Sequence, residues 1–153
     1  METEKGNGIR TIYLSGPIKD ATDEEARAWR QHAAELWCAG AGMSVLDPMR
    51  KDWGGKLLER CNEVVEGDLD DIRRSDALLV YYSRPSVGTS MEIMYAKEMG
   101  KPVVIVNASG GPLSPWHYYH MDAVAPSVEK ALLFLRWPSL RAKLPPYRKP
   151  RAS

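Results

Sequence analysis

The sequence predicts an α/β domain built on a parallel sheet. Short apolar runs alternate with stretches of helical periodicity, which is the pattern of repeated strand–helix–strand units. Two of the runs, "DALLVYY" (76–82) and "PVVIVN" (102–107), are almost continuously apolar, as strands covered on both faces are. The chain of 153 residues is 44% hydrophobic and 27% charged, which suits one globular domain with a single core.

Each element has its own signal. Residues 1–9 read as a flexible lead-in, and residues 10–137 form the single α/β domain. "RTIYLS" (10–15) is a strand that breaks at Gly16-Pro17. "TDEEARAWRQHAAELWCAG" (22–40) is a helix. Thr22 caps it, Glu25 completes a capping box and Gly40 stops it, while Ala26, Trp29, Ala33, Leu36 and Trp37 form the apolar stripe. "MSVLD" (43–47) is a short strand ended by Pro48. A loop, "MRKDWGG", leads into a helix over 56–75. The strand 76–82 is followed by a helix from about Ser90 to Met99, stopped by Gly100. After the strand at 102–107 comes a loop rich in Gly, Pro and aromatic residues (108–125), then a last helix at 127–137 ended by Pro138.

The net charge of +1 offers no whole-molecule attraction to nucleic acid or membrane. From Arg136 onward there are six Lys/Arg and no acidic residue, which leaves 15 basic against 20 acidic groups in the rest. The segment 138–153 reads as a basic, solvated tail. Cys38 and Cys61 lack metal-ligand spacing and read as buried free thiols in a reducing compartment. The polar N-terminus does not read as a signal peptide, and no apolar run approaches the ~20 residues of a membrane span. A cytoplasmic protein is expected.

In open parallel sheets, ligands bind at the carboxyl ends of the strands. That rule selects the loops 16–21, 48–55, 83–90 and 107–120. "YLSGPIK" (13–19) offers backbone N–H groups, the Ser15 hydroxyl and the Lys19 cation, either as a phosphate cradle or as a plain strand-to-helix turn. In "PSVGTSMEI" (85–93), Thr89 and Glu92 have the spacing of a capping box. Glu92 is equally placed to be a nucleophile that the helix dipole keeps ionised. On the helix 56–75, Asp68 shares a face with Leu57, Cys61, Val64 and Ile72. A carboxylate there is either directed at a partner with its pKa raised, or it reaches water at the edge. Asp76 reads as a structural cap. Trp53 reads either as a core residue or as a stacking platform for a planar base. His117 and His120 have no carboxylate or cysteine at ligand spacing, so no metal is expected. Two carboxylates in different environments are the machinery of glycosidic cleavage, one as nucleophile and the other as acid.

Three motifs together resemble the nucleoside 2-deoxyribosyltransferase superfamily, and within it the deoxynucleoside 5'-monophosphate N-glycosidases and cytidylate hydrolases. They are "IYLSGPI" (12–18), "DLDDIRRSDALLV" (68–80) and "SVGTSMEIMYAKEMGKPVVIV" (86–106). The resemblance implies a flavodoxin-like (Rossmann-like) three-layer domain and a homodimer with shared active sites, with no cofactor or metal. It implies Glu92 as nucleophile, Tyr13 as the residue that holds it, and Asp68 as the group that contacts and protonates the base. It implies Gly16, Ser86 and Gly88 at the phosphate, with Lys19 as a nearby basic residue; Ser114 is a candidate contributed by the neighbouring subunit. True transferases of the superfamily tend to carry aspartate six residues before the nucleophile. Ser86 stands there in this chain and does not repel a 5'-phosphate, which favours a nucleotide hydrolase. Tyr13 favours deoxyribose, and the "RKDWGG" loop with Trp53 favours a pyrimidine. Base transfer through the same intermediate and a nucleotide-binding module without turnover are the alternatives.

Overall fold

A computed structural model describes residues 8–141. Five parallel strands form one sheet in the order β2-β1-β3-β4-β5. They are β1 (Thr11–Ser15), β2 (Ser44–Leu46), β3 (Ala77–Tyr82), β4 (Val103–Asn107) and β5 (Ala123–Ala125). Helices α1 (Asp23–Cys38) and α5 (Val128–Arg136) cover one face; α2 (Cys61–Arg74), α3 (Val87–Glu98) and the short α4 (Pro115–His120) lie on the other. This is the three-layer α/β architecture expected of a flavodoxin-like domain.

The pleat divides the core in two. Ile12, Leu14, Ala77, Leu79, Val104 and Val106 pack toward α1 and α5. Tyr13, Leu78, Val80, Val103 and Ile105 pack toward α2 and α3. Alternate residues of one strand point to opposite faces, so a strand buried on both sides is apolar throughout. The strand order reverses between β1 and β3, which opens a crevice at their carboxyl ends.

Several boundaries and environments differ from the sequence expectations. Ile9 belongs to the core rather than to a flexible lead-in. α2 begins at Cys61, and residues 57–60 form turns ahead of it. The expected apolar stripe is thin: Ile72 is buried, Val64 is half-buried and Cys61 is exposed. Both cysteines are exposed free thiols, because Cys38 closes α1 beside the buried Trp37 and Cys61 opens α2 away from the sheet. α3 starts at Val87, three residues before the expected position, with Ser86 as its cap. The 108–125 loop contains α4 and β5. Of the basic tail, Pro138–Leu140 form a 3-10 turn, and residues beyond 141 lie outside the described residues.

Asp76 is the cap it was expected to be. Its Oδ2 accepts the backbone N–H groups of Arg10 and Thr11, each at 2.9 Å, which ties the start of β1 to β3. Asp76→Ala is expected to lower unfolding stability by about 1–2 kcal/mol, measured by urea denaturation, and to leave ligand affinity unchanged.

Candidate active site

β1 supplies two hydroxyls to one carboxylate. Tyr13 and Ser15 are two residues apart, so the pleat turns both toward α2 and α3. The Tyr13 hydroxyl donates to Glu92 Oε2, and Ser15 Oγ donates to Oε1 at 2.8 Å. Both donors are fully buried. Ser15 is therefore a partner of Glu92, not part of a phosphate cradle.

Glu92 does not cap its helix. Ser86 is the N-cap of α3, and its hydroxyl accepts the Thr89 N–H at 3.3 Å. Glu92 thus falls in the second turn, beyond the reach of a Thr89 capping box and past the strongest part of the dipole. It is not held ionised as expected. Burial pushes its carboxyl up to about 7, helped by the negative charge of Asp68, and the Tyr13 and Ser15 hydrogen bonds only partly oppose the rise. Burial, followed by the charges of Glu92 and Asp68, pushes the Tyr13 phenol far above its ordinary range, so it remains a donor.

Asp68, on α2, is near enough for its charge to act on both Glu92 and Tyr13. Burial raises its carboxyl to about 6, against the opposing pull of Lys51, Arg50 and Arg30. Lys51 Nζ lies 3.9 Å from Asp68 Oδ1. Arg30, on α1, has no exposed surface, and its field reaches Tyr13, Glu92 and Asp68. It donates to the Gly16 carbonyl at 2.9 Å and to the Ala26 carbonyl at 2.5 Å, and it faces Asp47 at 3.5 Å. Its guanidinium also stacks on Trp29.

Gly16 is hemmed in. A Cβ there would lie 2.9 Å from the Trp29 ring and 3.0 Å from the Tyr81 carbonyl, so a side chain is excluded. Gly88, in the first turn of α3, has open space beside its Cα. Lys19 is exposed in the turn after β1. Gly16, Lys19, Ser86 and Gly88 thus belong to two loops at the crevice end of the sheet.

Two candidates are not gathered around Glu92 by any contact. Trp53 is half-buried and one ring face is covered by the Arg60 guanidinium, 4.8 Å from the centroid. Ser114 caps α4: its hydroxyl accepts the Trp116 N–H, and its own N–H donates to His117 Nδ1. His117 Nε2 therefore carries the proton and donates to Ser90 Oγ at 3.1 Å. Among the described residues, no group of three His, Cys, Asp or Glu side chains is placed to hold a metal.

Arg30, Asp47 and Lys51 escaped the sequence reading, and Ser15 was read toward a phosphate rather than toward Glu92. A signal existed for two of them. Ser15 has the two-residue spacing from Tyr13, and Arg30 falls on the Ala26–Ala33–Trp37 stripe of α1.

A doubly wound α/β fold with a hydroxyl-held glutamate and a second raised carboxyl at the switch point defines a site suited to glycosyl chemistry. The family model for nucleoside 2-deoxyribosyltransferase matches residues 12–131, and the chain belongs to that family. No curated protein matches the sequence significantly. The fold is similar to a solved 2-deoxyribosyltransferase from Bacillus psychrosaccharolyticus, with a TM-score of 0.67 and 20% identity over 88% of this chain and 98% of that one. It is also similar to a conserved protein from Enterococcus faecalis V583, with a TM-score of 0.65 and 15% identity over 85% and 99% of the two chains.

The Glu92 environment has a consequence for stability. A carboxyl whose folded pKa exceeds its unfolded value binds its proton more tightly in the native state. The native protein therefore loses stability as pH rises from about 4.5 through 7. Glu92→Gln is expected to be more stable than the parent above pH 7 by about 1–2 kcal/mol, and to lose that advantage in acid. Chemical denaturation across pH measures the difference.

Proposed function

We propose that the protein hydrolyses the N-glycosidic bond of a (deoxy)nucleoside 5'-monophosphate to a free base and (deoxy)ribose 5-phosphate. The observation that carries this reading is the Glu92 carboxylate, held by the Tyr13 and Ser15 hydroxyls within reach of the Asp68 charge. In the first step an ionised Glu92 oxygen bonds to the anomeric carbon as the carbon–nitrogen bond breaks. The electron pair of that bond leaves with the base, which takes the proton of Asp68. In the second step the Asp68 carboxylate takes a proton from water, whose oxygen bonds to the anomeric carbon and frees Glu92. Tyr13 and Ser15 hold the nucleophile in line throughout.

The 5'-phosphate is assigned to the Gly16–Lys19 loop and the start of α3. Ser86 Oγ accepts from Thr89 and keeps its own proton to donate, and no carboxylate stands at this position to repel an anion. A second reading, transfer of the 2-deoxyribosyl group to another base, is supported by the family to which the chain belongs. A panel of nucleosides and nucleotides, with and without 5'-phosphate and with and without free acceptor base, separates the two. Hydrolysis confined to monophosphates is expected; efficient base exchange without net hydrolysis would overturn the hydrolase reading. Glu92→Gln is expected to abolish turnover with the fold intact, whereas a binding module without turnover would show none in the parent either.

The proposed roles need Glu92 ionised and Asp68 protonated. With Asp68 near 6 and Glu92 near 7, that combination is a minority form at every pH. A plot of kcat/KM against pH is expected to be bell-shaped, with limbs near 6 and 7 that belong to the pair.

A second copy of the chain is proposed to cover α3 and α4. Val87, Met91, Trp116 and Tyr119 are exposed there, Val87 by 82% and Trp116 by 72%. Val87, Met91 and Trp116 line an apolar groove of about 480 Å³ that reaches Ser86. Sedimentation equilibrium is expected to show a dimer for the parent and a monomer for the double variant Val87→Glu, Trp116→Ala.

A further inference from the structure

Asp71 is the one carboxylate among the described residues that is almost wholly buried, at 1% exposure. It accepts a two-pronged pair of hydrogen bonds from Arg50, at 2.7 and 2.8 Å, and another from Arg74 at 2.7 Å. Lys51 Nζ faces it at 3.1 Å. Burial alone would raise its carboxyl, but these donors together hold it down at about 2. Asp71 is thus a fixed anion that ties the segment Pro48–Lys51, which follows β2, onto α2.

That tie brings Lys51 across α2 at its one glycine. A Cβ at Gly67 would lie 2.8 Å from Lys51 Nζ, so the ammonium occupies the space that a side chain there would fill. From this seat it lies 3.9 Å from Asp68 Oδ1. Asp68 and Asp71 are three residues apart on one helix face, and one ammonium meets both.

We propose that Lys51 is a positioning residue for departure of the base: anchored by Asp71 in the gap at Gly67, its ammonium governs how firmly Asp68 holds its proton. The proposal rests on the reading of Asp68 as the acid of the glycosidic step. The other charged and titratable groups that interact with Asp68 come from four further elements. They are Arg50 in the turn after β2, Arg30 on α1, Tyr13 on β1 and Glu92 on α3, beside Asp71 on α2 itself. Among the described residues, Lys51 is the cation in ion-pair contact with Asp68, at 3.9 Å.

The test follows the Asp68 carboxyl-carbon NMR signal against pH in the full chain, together with kcat/KM. Lys51→Met is expected to raise the Asp68 midpoint by about one pH unit, since an opposite charge at this range favours the ionised form. Because Asp68 lies below Glu92, the acidic limb of kcat/KM moves up with it and the maximum rises several-fold. Lys51→Arg restores the midpoint toward the parent. Gly67→Ala displaces the ammonium without removing it, and is expected to shift the Asp68 midpoint while the unfolding temperature does not fall, because alanine is the better helix residue. Unchanged Asp68 midpoints in both Lys51→Met and Gly67→Ala would overturn the proposal. If the parent turned over no nucleoside or nucleotide, the functional reading would fail instead, and the NMR titration would still decide the coupling.

Discussion

The crevice depends on a carboxylate that is largely removed from water and held by hydroxyls rather than by a cation. Glu92 receives one hydrogen bond on each oxygen, from Tyr13 and Ser15 of the same strand. Burying an ionisable group is costly unless its oxygens are satisfied, and neutral donors compensate only in part. The carboxyl answers by rising to about 7. The position of β1 between β2 and β3 secures the geometry, since a shift of register by one residue would turn both hydroxyls to the opposite face. The turn at Gly16 then follows from packing: the Trp29 ring and the Tyr81 carbonyl leave no room for a side chain.

A cation is present, but it sits behind the site. Arg30 is fully buried, is tied to two backbone carbonyls and stacks on Trp29. From there it favours the ionised forms of Glu92 and Asp68 without a salt bridge to either. A direct ion pair with Glu92 would depress its basicity and occupy the oxygen that must bond to carbon. The same separation recurs on α2, where Asp71 binds the guanidinium groups of Arg50 and Arg74, and Asp68 has its ion-pair contact with the more distant Lys51. Neutralising charge and reactive carboxyl are kept on neighbouring, different residues.

The layered core was legible because strands covered on both faces are apolar throughout and therefore stand out in "ALLVYY" and "VVIVN". The Tyr13–Glu92 contact was legible through the resemblance that three motifs carry. α4 and β5 were not, because six and three residues carry too little periodicity. Ser114 followed by Pro115 was a usable start signal for α4. The Thr89–Glu92 spacing suggested a capping box, but the serine three residues earlier captures the helix start. Arg30 was overlooked because arginine on a polar helix reads as solvent-facing, although Ala26, Arg30, Ala33 and Trp37 share one face. The same argument that singled out Asp68 would have found it. Asp71 lacked such a cue, because its burial comes from Arg50 and Lys51, which are distant in sequence.

The high proton affinity of Glu92 fits the proposed displacement better than a dipole-stabilised anion would. A carboxylate that is comfortable in the free enzyme has less to gain when positive charge develops at the anomeric carbon. One that is poorly solvated gains most at that moment, and only interactions stronger in the transition state than in the ground state raise the chemical rate. In the proposed reaction, the raised Asp68 carboxyl keeps a proton within reach of the departing base near neutral pH. The Asp68 charge raises the proton affinity of Glu92 above its own, so an ionised Glu92 beside a protonated Asp68 is rare in the unliganded site. In the proposed reaction, the cationic character that develops on the sugar stabilises that pairing. On this account the free site is tuned to the transition state rather than to its own stability, and Glu92 in the second turn of α3, behind the Ser86 cap, is where desolvation can outweigh the dipole.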